Sequence, residues 1–338
     1  MDITETRKLG RTDVAVTVAS FGGAPIGNLF APVSREAAEG ALAFAWDAGL
    51  RYFDTAPYYG FGLSERRIGD FLRDKPRGSY VVSSKVGRLL LPLRGKPVPD
   101  RGFAEPLPFE PVYDYSYDGV MRSHEASLHR LGLDRIDVLL LHDIGTVTHG
   151  AEHPRHFRDA MEGGVRALQE LKAAGDIGAY GIGVNEVEVL LEALGHADFD
   201  CFLLAGRFTL LDQIAAQGLL QTCHDRGTTL IIGGVFNSGI LVTGPVPGAR
   251  YNYEPAPADI LARVARIKAV CDRFGVPLPA AALQFPLSHP AVSTVLTGVT
   301  DRDMLSRNLE GFRVPVPPAL WDALVEDGLL RAELRPAA

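Results

Sequence analysis

Cysteine is scarce: Cys201, Cys223 and Cys271 are the only three in 338 residues. They are odd in number, far apart and set in apolar or helical contexts. This excludes a disulfide framework and reads as reduced, buried side chains of a cytoplasmic protein. Basic charge is also short, with 34 Lys and Arg against 41 Asp and Glu, a formal net of −7, and no basic block. Nothing in that balance recruits nucleic acid or an anionic membrane. No apolar run reaches the roughly 18 residues that a bilayer span needs. The N-terminus, MDITETRKLG, lacks the basic-then-apolar order of an export signal. After the first buried strand the chain reads FGGAPIGN. That is not the G-x-G-x-x-G of a doubly wound dinucleotide-binding sheet.

What is present is a regular alternation of buried strand and helix. Residues 7–19 read as a hairpin turning at LGRTD, with 16–21 as the first buried strand. Ser34 caps a helix that ends at Gly49. Further strands are expected at 50–53, 80–84, 136–141, 179–184, 200–204, 228–233 and 292–297, with helices between them at 117–131, 158–174, 186–194, 213–226, 257–274, 279–287 and 301–310. A last helix follows Pro317 and Pro318. The run IDVLLL at 136–141 is apolar without alternation, as a strand covered on both faces must be. Two stretches, 87–116 and 234–256, read as long loops rich in Pro and Gly, a length unusual unless functional. Eight buried strands without a compositional break predict one (β/α)₈ barrel domain over residues 1–338, an α/β fold with an N-terminal β-hairpin.

In such a barrel the reacting groups sit at the C-terminal ends of the strands. Those ends carry Gly22 and Gly23, Asp54 and Tyr59, Lys85, His142 and Asp143, Asn185, Arg207, Gly233 and Gly234, and Thr297 and Gly298. The segment 51–69, RYFDTAPYYGFGLSERRIG, is the focus, with Ser64 expected to cap the next helix. Lys85 follows an apolar strand and needs a carboxylate partner, for which Asp54 is the nearest candidate. The ammonium is expected to lower the pKa of Tyr59 from about 10, making it an acid or base near neutral pH. His142 is placed to bond an oxygen shared with Tyr59. A lysine alone could also form a Schiff base, but the phenol beside it favours proton transfer.

FDTAPYYGFGLSERRIG, SSKVG and LLLLHD resemble signature segments of the aldo-keto reductase superfamily. The resemblance implies Tyr59 as general acid/base, Asp54 and Lys85 tuning it, His142 orienting the substrate oxygen, and a nicotinamide cofactor across the barrel mouth. GGAPIGNLF, LAGRFTLLDQ, GGVFNSGIL and ALQFPLSHPAV are similar to the bacterial L-fucose and D-threo-aldose 1-dehydrogenase branch and to a pyridoxal 4-dehydrogenase. The implied substrate is an aldose or pyridoxal hemiacetal, oxidised to a lactone. Cofactor contacts are expected from Gly22, Gly23, Asn185, Gly233, Gly234, Phe236, Gly298, Thr300 and Asn308. The Lys and Arg that clamp a 2′-phosphate in NADPH-preferring members are Gly298 and Met304 here, so NAD is expected, with NADP open through Arg302 and Arg307. The stacking tyrosine after strand seven is replaced by Gly233 and Gly234, with Phe236 as a substitute. No resident metal is expected: His149, His153 and His156 read as a solvated or substrate-covering loop. An NADPH-linked reductase, a metal-dependent barrel enzyme and a non-catalytic cofactor-binding subunit are the competing classes. The oligomeric state is not legible.

Overall fold

A computed structural model describes residues 1–337. Eight parallel strands close a barrel in chain order: β1 Ala19–Gly22, β2 Tyr52–Asp54, β3 Val81–Val86, β4 Val138–His142, β5 Ala179–Val184, β6 Cys201–Ala205, β7 Thr229–Gly233 and β8 Val292–Gly298. β8 returns to pair with β1, so no strand edge is left open. The helices pack outside: α1 Arg35–Asp47, α2 Leu63–Leu72, α3 Tyr117–Leu131, α4 Val165–Ala174, α5 Glu188–Ala193, α6 Leu219–Arg226, α7 Ala258–Arg273, α8 Leu278–Gln284, α9 Arg302–Arg313 and α10 Pro318–Glu326.

Strand parity sorts the side chains into two cores. Tyr52, Val138, Leu140, Ala179, Cys201, Leu203, Ile231 and Leu296 fill the barrel interior, while the alternate residues, such as Phe53, Leu139 and Leu141, pack beneath the helices. The hairpin Thr6–Lys8 with Ala15–Thr17 plugs the bottom through Leu9 and Val16. The same parity carries Asp54, Lys85 and His142 inward at the opposite end. The chemistry is thereby confined to one mouth.

Most expected elements stand within a few residues of their places, and the exceptions have physical causes. The first strand is two, because the chain bends at Val18 to serve both the bottom hairpin and the barrel. Residues 87–116 are not a structureless loop: Arg88–Pro92 pairs with Phe109–Tyr113 as an antiparallel ribbon. Residues 234–256 hold a helical turn, Ile240–Thr243, and a small ladder of Arg250–Tyr251 on Glu254–Pro255. The helix expected at 158–174 begins earlier, at His153, and passes through a π turn over Ala160–Gly164 into α4. The helix expected at 213–226 is a 3₁₀ turn, Ile214–Ala216, followed by α6. Ser34 does cap α1, accepting from the Ala37 N–H at 3.1 Å. All three cysteines are free and buried, with their thiol pKa pushed up by desolvation.

Candidate active site

Asp54, at the end of β2, and Lys85, on β3, meet inside the barrel. Lys85 Nζ donates to Asp54 Oδ2 at 2.8 Å, to Asp54 Oδ1 at 3.0 Å and to the Thr55 carbonyl at 2.9 Å. The carboxylate and the carbonyl together fix the ammonium in place. Tyr52 donates to Ser83 Oγ at 2.9 Å, and Ser83 in turn donates to Asp54 Oδ1 at 2.7 Å, so the carboxylate is braced from below. Gly183 leaves room for the lysine stem, since a Cβ there would lie 3.3 Å from Lys85 Cε. Burial pulls the Lys85 pKa down, but Asp54 and Tyr59 together outweigh it and the pKa ends above its ordinary value.

The ammonium lies 4.6 Å from the centroid of the Tyr59 ring. The phenol is not tuned as the sequence suggests. Desolvation raises its pKa, Lys85 lowers it and Asp54 raises it again, and it is pushed up to about 12. The cation is largely neutralised by its own carboxylate, so the penalty of a buried phenolate prevails. Tyr59 is therefore a protonated acid at rest. The His142 ring stands edge-on to it, with centroids 5.9 Å apart and planes at 86°. Burial, with Arg88 and Lys85 adding repulsion, holds the His142 pKa well below 6.5, so the imidazole is neutral. Its Nδ1 is buried without a hydrogen-bond partner among the described residues.

Ser64 is not the α2 cap. Gly62, at φ 96°, occupies that position, and Ser64 lies inside the first turn. There Ser64 accepts from Thr55 Oγ1 and donates to the Gly23 carbonyl, both at 2.8 Å, tying β1, β2 and α2 together. Glu65 is in the first turn as expected, but fully buried, accepting from Arg130 and Ser84.

The expected cofactor positions divide into two groups. The Gly23 N–H donates to Asp54 O at 2.8 Å, and a Cβ on Gly23 would meet Ser64 Oγ at 2.6 Å, so this glycine serves the packing of β1 on α2. Its backbone groups are spent inside the protein. Gly22 pairs in register with Gly298 and Asp54. Gly233 accepts from the Gly206 N–H, Gly234 turns at φ 59°, and Phe236 packs against the hydrophobic core. Asn185 stays near the mouth, its Nδ2 3.3 Å from the Ala205 carbonyl and 3.4 Å from the Tyr253 hydroxyl. The aromatic ring that reaches Asn185 is thus Tyr253, from the segment after β7, rather than Phe236. Gly298 is exposed at the end of β8, and Thr300 donates to Asp301 Oδ2 at 2.9 Å. Asp301 caps α9 by accepting from the Met304 N–H at 2.8 Å. Asn308, on that helix, has a buried Nδ2 with no acceptor among the described residues.

Aromatic residues wall the mouth. The tip of the 88–113 ribbon is stitched to the segment after β1, with the Phe30 N–H donating to Gly102 O at 3.0 Å and the Ala104 N–H to Asn28 O at 2.8 Å. This places Phe103 5.3 Å from Tyr58 and 6.3 Å from Tyr59, ring to ring, beside a groove of about 470 Å³ that Phe30 also lines. Of the other aromatics in the segments 87–116 and 234–256, Tyr115 is buried behind His142, donating to its carbonyl at 2.6 Å. Tyr251 donates to Asp212 at 2.9 Å, and Arg207 joins the same carboxylate at 3.3 Å.

The three histidines after β4 are not a solvated loop. His149 and His156 stack at 4.0 Å, and His149 Nε2 lies 3.0 Å from the Tyr115 hydroxyl. No group of three potential metal ligands occurs among the described residues. Arg88, which the sequence reading did not single out, is 3% exposed and forms a buried ion pair with Asp143 next to His142. Its only sequence signal is its place one turn residue beyond the strand that bears Lys85.

The profile of the Aldo/keto reductase family matches residues 19–326. A pyridoxal 4-dehydrogenase of Microbacterium luteolum is 47% identical over 96% of this chain and 98% of its own length. A D-threo-aldose 1-dehydrogenase of a Pseudomonas species is 40% identical over 94% and 95%. An aldo-keto reductase of Bacillus halodurans, solved in its holo form, superposes with a TM-score of 0.74 at 23% identity, covering 97% of each chain. That likeness concerns the fold.

Proposed function

This chain belongs to the aldo/keto reductase family, and from that premise we propose that it oxidises the cyclic hemiacetal of a free aldose or of pyridoxal to a lactone, with NAD⁺ as acceptor. The observation that carries the reading is the buried Asp54–Lys85 pair set against the ring of Tyr59, with neutral His142 across from it. The bound nicotinamide supplies the hydride acceptor, a chemistry no side chain offers.

The protein's own residues do the rest. Tyr59, once its own phenol proton has passed to solvent, takes the hemiacetal hydroxyl proton as phenolate. Lys85 is held as an ammonium by three acceptors and counters part of the desolvation penalty on the phenolate. Because the resting phenol is protonated, oxidation quickens as pH rises, and the reverse reduction starts from the acid form. His142 orients the substrate oxygen through an imidazole that adds no charge.

For the cofactor, Asn185 suits the carboxamide, and the segment from Gly298 to Asn308 suits the adenosine end. Asn308 Nδ2 is a buried donor lacking an acceptor, which fits a group not made of protein. Asp301 already occupies the N-terminus of α9 with a carboxylate. A ribose hydroxyl can donate to it, whereas a 2′-phosphate would be repelled, and this supports NAD⁺. An NADPH-linked reductase is the second reading, favoured by the protonated phenol and opposed by Asp301.

The test is NADH formation from L-fucose, D-arabinose, L-galactose and pyridoxal side by side, repeated with NADP⁺. At least one compound is expected to reduce NAD⁺, and Tyr59→Phe to be silent with NAD⁺ affinity kept within a few-fold. Protein that binds NAD⁺ but reduces it with none of the four would instead support a non-catalytic cofactor-binding role.

A further inference from the structure

Asp143 follows His142 directly, and the mechanism above leaves this strand-end carboxylate without a task. Its Oδ2 faces two neighbours, Arg88 Nη2 in an ion pair and His142 Nε2 at 3.4 Å. Oδ1 accepts no hydrogen bond from the described residues, and the side chain keeps 20% exposure at the mouth. The carboxylate is felt electrostatically by Tyr59, Tyr253 and Arg88 alike, which places it among the groups that ring the reacting centre.

The chain maintains this arrangement at a cost. Asp143 has φ 51°, a left-handed conformation that is uncommon outside glycine and turns up at functional positions. Tyr115 pins the strained backbone, donating to the carbonyls of His142 at 2.6 Å and Asp143 at 3.2 Å. Arg88 is held between aromatic rings, 3.9 Å from the centroid of Tyr58 and 5.1 Å from that of Tyr113, and its Nε is a buried donor without an acceptor. A buried ion pair with unsatisfied capacity contributes little to stability compared with apolar packing of the same volume. A carboxylate so fixed, with Oδ2 held by Arg88 beside the imidazole and Oδ1 free, is suited to accept from a donor that the protein lacks.

We propose that Asp143 is a substrate-binding residue that accepts a hydrogen bond from a hydroxyl carried beside the carbon being oxidised, and that Arg88 is the positioning residue that holds Asp143 for it. The inference rests on the hemiacetal-oxidising reading and narrows it. In an aldose the hydroxyl is that on C2; in pyridoxal it is the ring hydroxyl next to the carbon that bears the aldehyde. The first is a neutral alcohol next to the reacting carbon; the second lies one carbon further away and donates only in its protonated phenol form.

The experiment measures kcat/KM for L-fucose against 2-deoxy-L-fucose and for pyridoxal against 3-deoxypyridoxal. The wild type, Asp143→Asn, Asp143→Ala, Arg88→Lys and Arg88→Met are compared. In whichever pair is oxidised, the wild type is expected to prefer the hydroxylated member by about 100-fold or more, as sites built around a substrate hydroxyl do. Asp143→Ala and Arg88→Met should cut that preference below about tenfold by slowing the hydroxylated compound far more than its deoxy partner, with Arg88→Lys and Asp143→Asn falling between. The conservative pair guards against misfolding, monitored by thermal unfolding. An unchanged preference in the variants, whether both substrates slow equally or neither does, overturns the inference while leaving the hemiacetal reading intact. A wild type that turns over neither pair overturns the reading and the inference together.

Discussion

At the scale of single residues, the site turns on how one phenol is balanced. Desolvation pushes Tyr59 up and Lys85 pulls it down, and the result is about 12. Lys85→Met removes the buried cation that pulls the phenol down, so the alkaline limb of the rate profile should move to higher pH and the remaining rate fall by orders of magnitude. The same change strands Asp54, which is 2% exposed, without its counter-ion. Removing one partner of a buried pair costs about 3–5 kcal/mol. The double variant Lys85→Met with Asp54→Asn should regain much of that stability and none of the activity. Urea unfolding beside a pH–rate profile separates the two effects; a single variant with an unmoved profile would show that the lysine does not act on the phenol.

Among the elements, α9 bears on cofactor choice. Its N-terminus is taken by Asp301, a carboxylate held below its ordinary pKa chiefly by the Met304 N–H. The neighbouring positions are Gly298, exposed, and Met304, partly buried. Neither offers a cation to a 2′-phosphate. Installing one pair, Gly298→Lys with Met304→Arg, and neutralising the cap by Asp301→Ser, which still caps, should lower the ratio of KM for NADP⁺ to KM for NAD⁺ at least tenfold. A Cβ at Gly298 would sit 3.1 Å from Pro25 Cγ, so that proline must yield by a few tenths of an ångström. Steady-state titration with both cofactors decides it. A ratio that does not move would place the adenosine end away from α9.

For the whole molecule, the histidines set the response to acid. His142, His149, His156, His124 and His289 all have pKa values lowered by burial, His149 to about 4. Each binds a proton more readily when the chain is unfolded, at about 6.5. Their contribution to stability is therefore complete above that pH and is lost as pH falls from about 6.5 toward the folded values. Asp143 acts in the opposite sense, since its raised pKa favours the folded form in acid, but it is one group against five. The thermal midpoint should accordingly fall between pH 6.5 and 4. His149→Gln, whose amide can still hydrogen-bond the Tyr115 hydroxyl, should flatten that slope. Calorimetry across the range is the check, and a flat wild-type profile would contradict the burial argument.

Much of this was readable in local pattern. Short apolar runs separated by capped helical segments marked eight strands and their helices, and the strand ends of a barrel meet at one mouth, so Asp54, Lys85 and His142 could be placed together from the sequence. What the sequence by itself determined was therefore the barrel and the company its strand ends keep. Three things waited for the tertiary structure. The protonated Tyr59 depends on how desolvation compares with a cation whose charge is shared. The cross-linking of Ser64 to Gly23 and the pairing of Arg88–Pro92 with Phe109–Tyr113 join segments whose contact no window of sequence contains. The Arg88–Asp143 pair exists because two chain segments 55 residues apart meet beside His142. Periodicity is local and survives in the sequence; burial, dielectric and long-range pairing arise only when the chain has closed on itself.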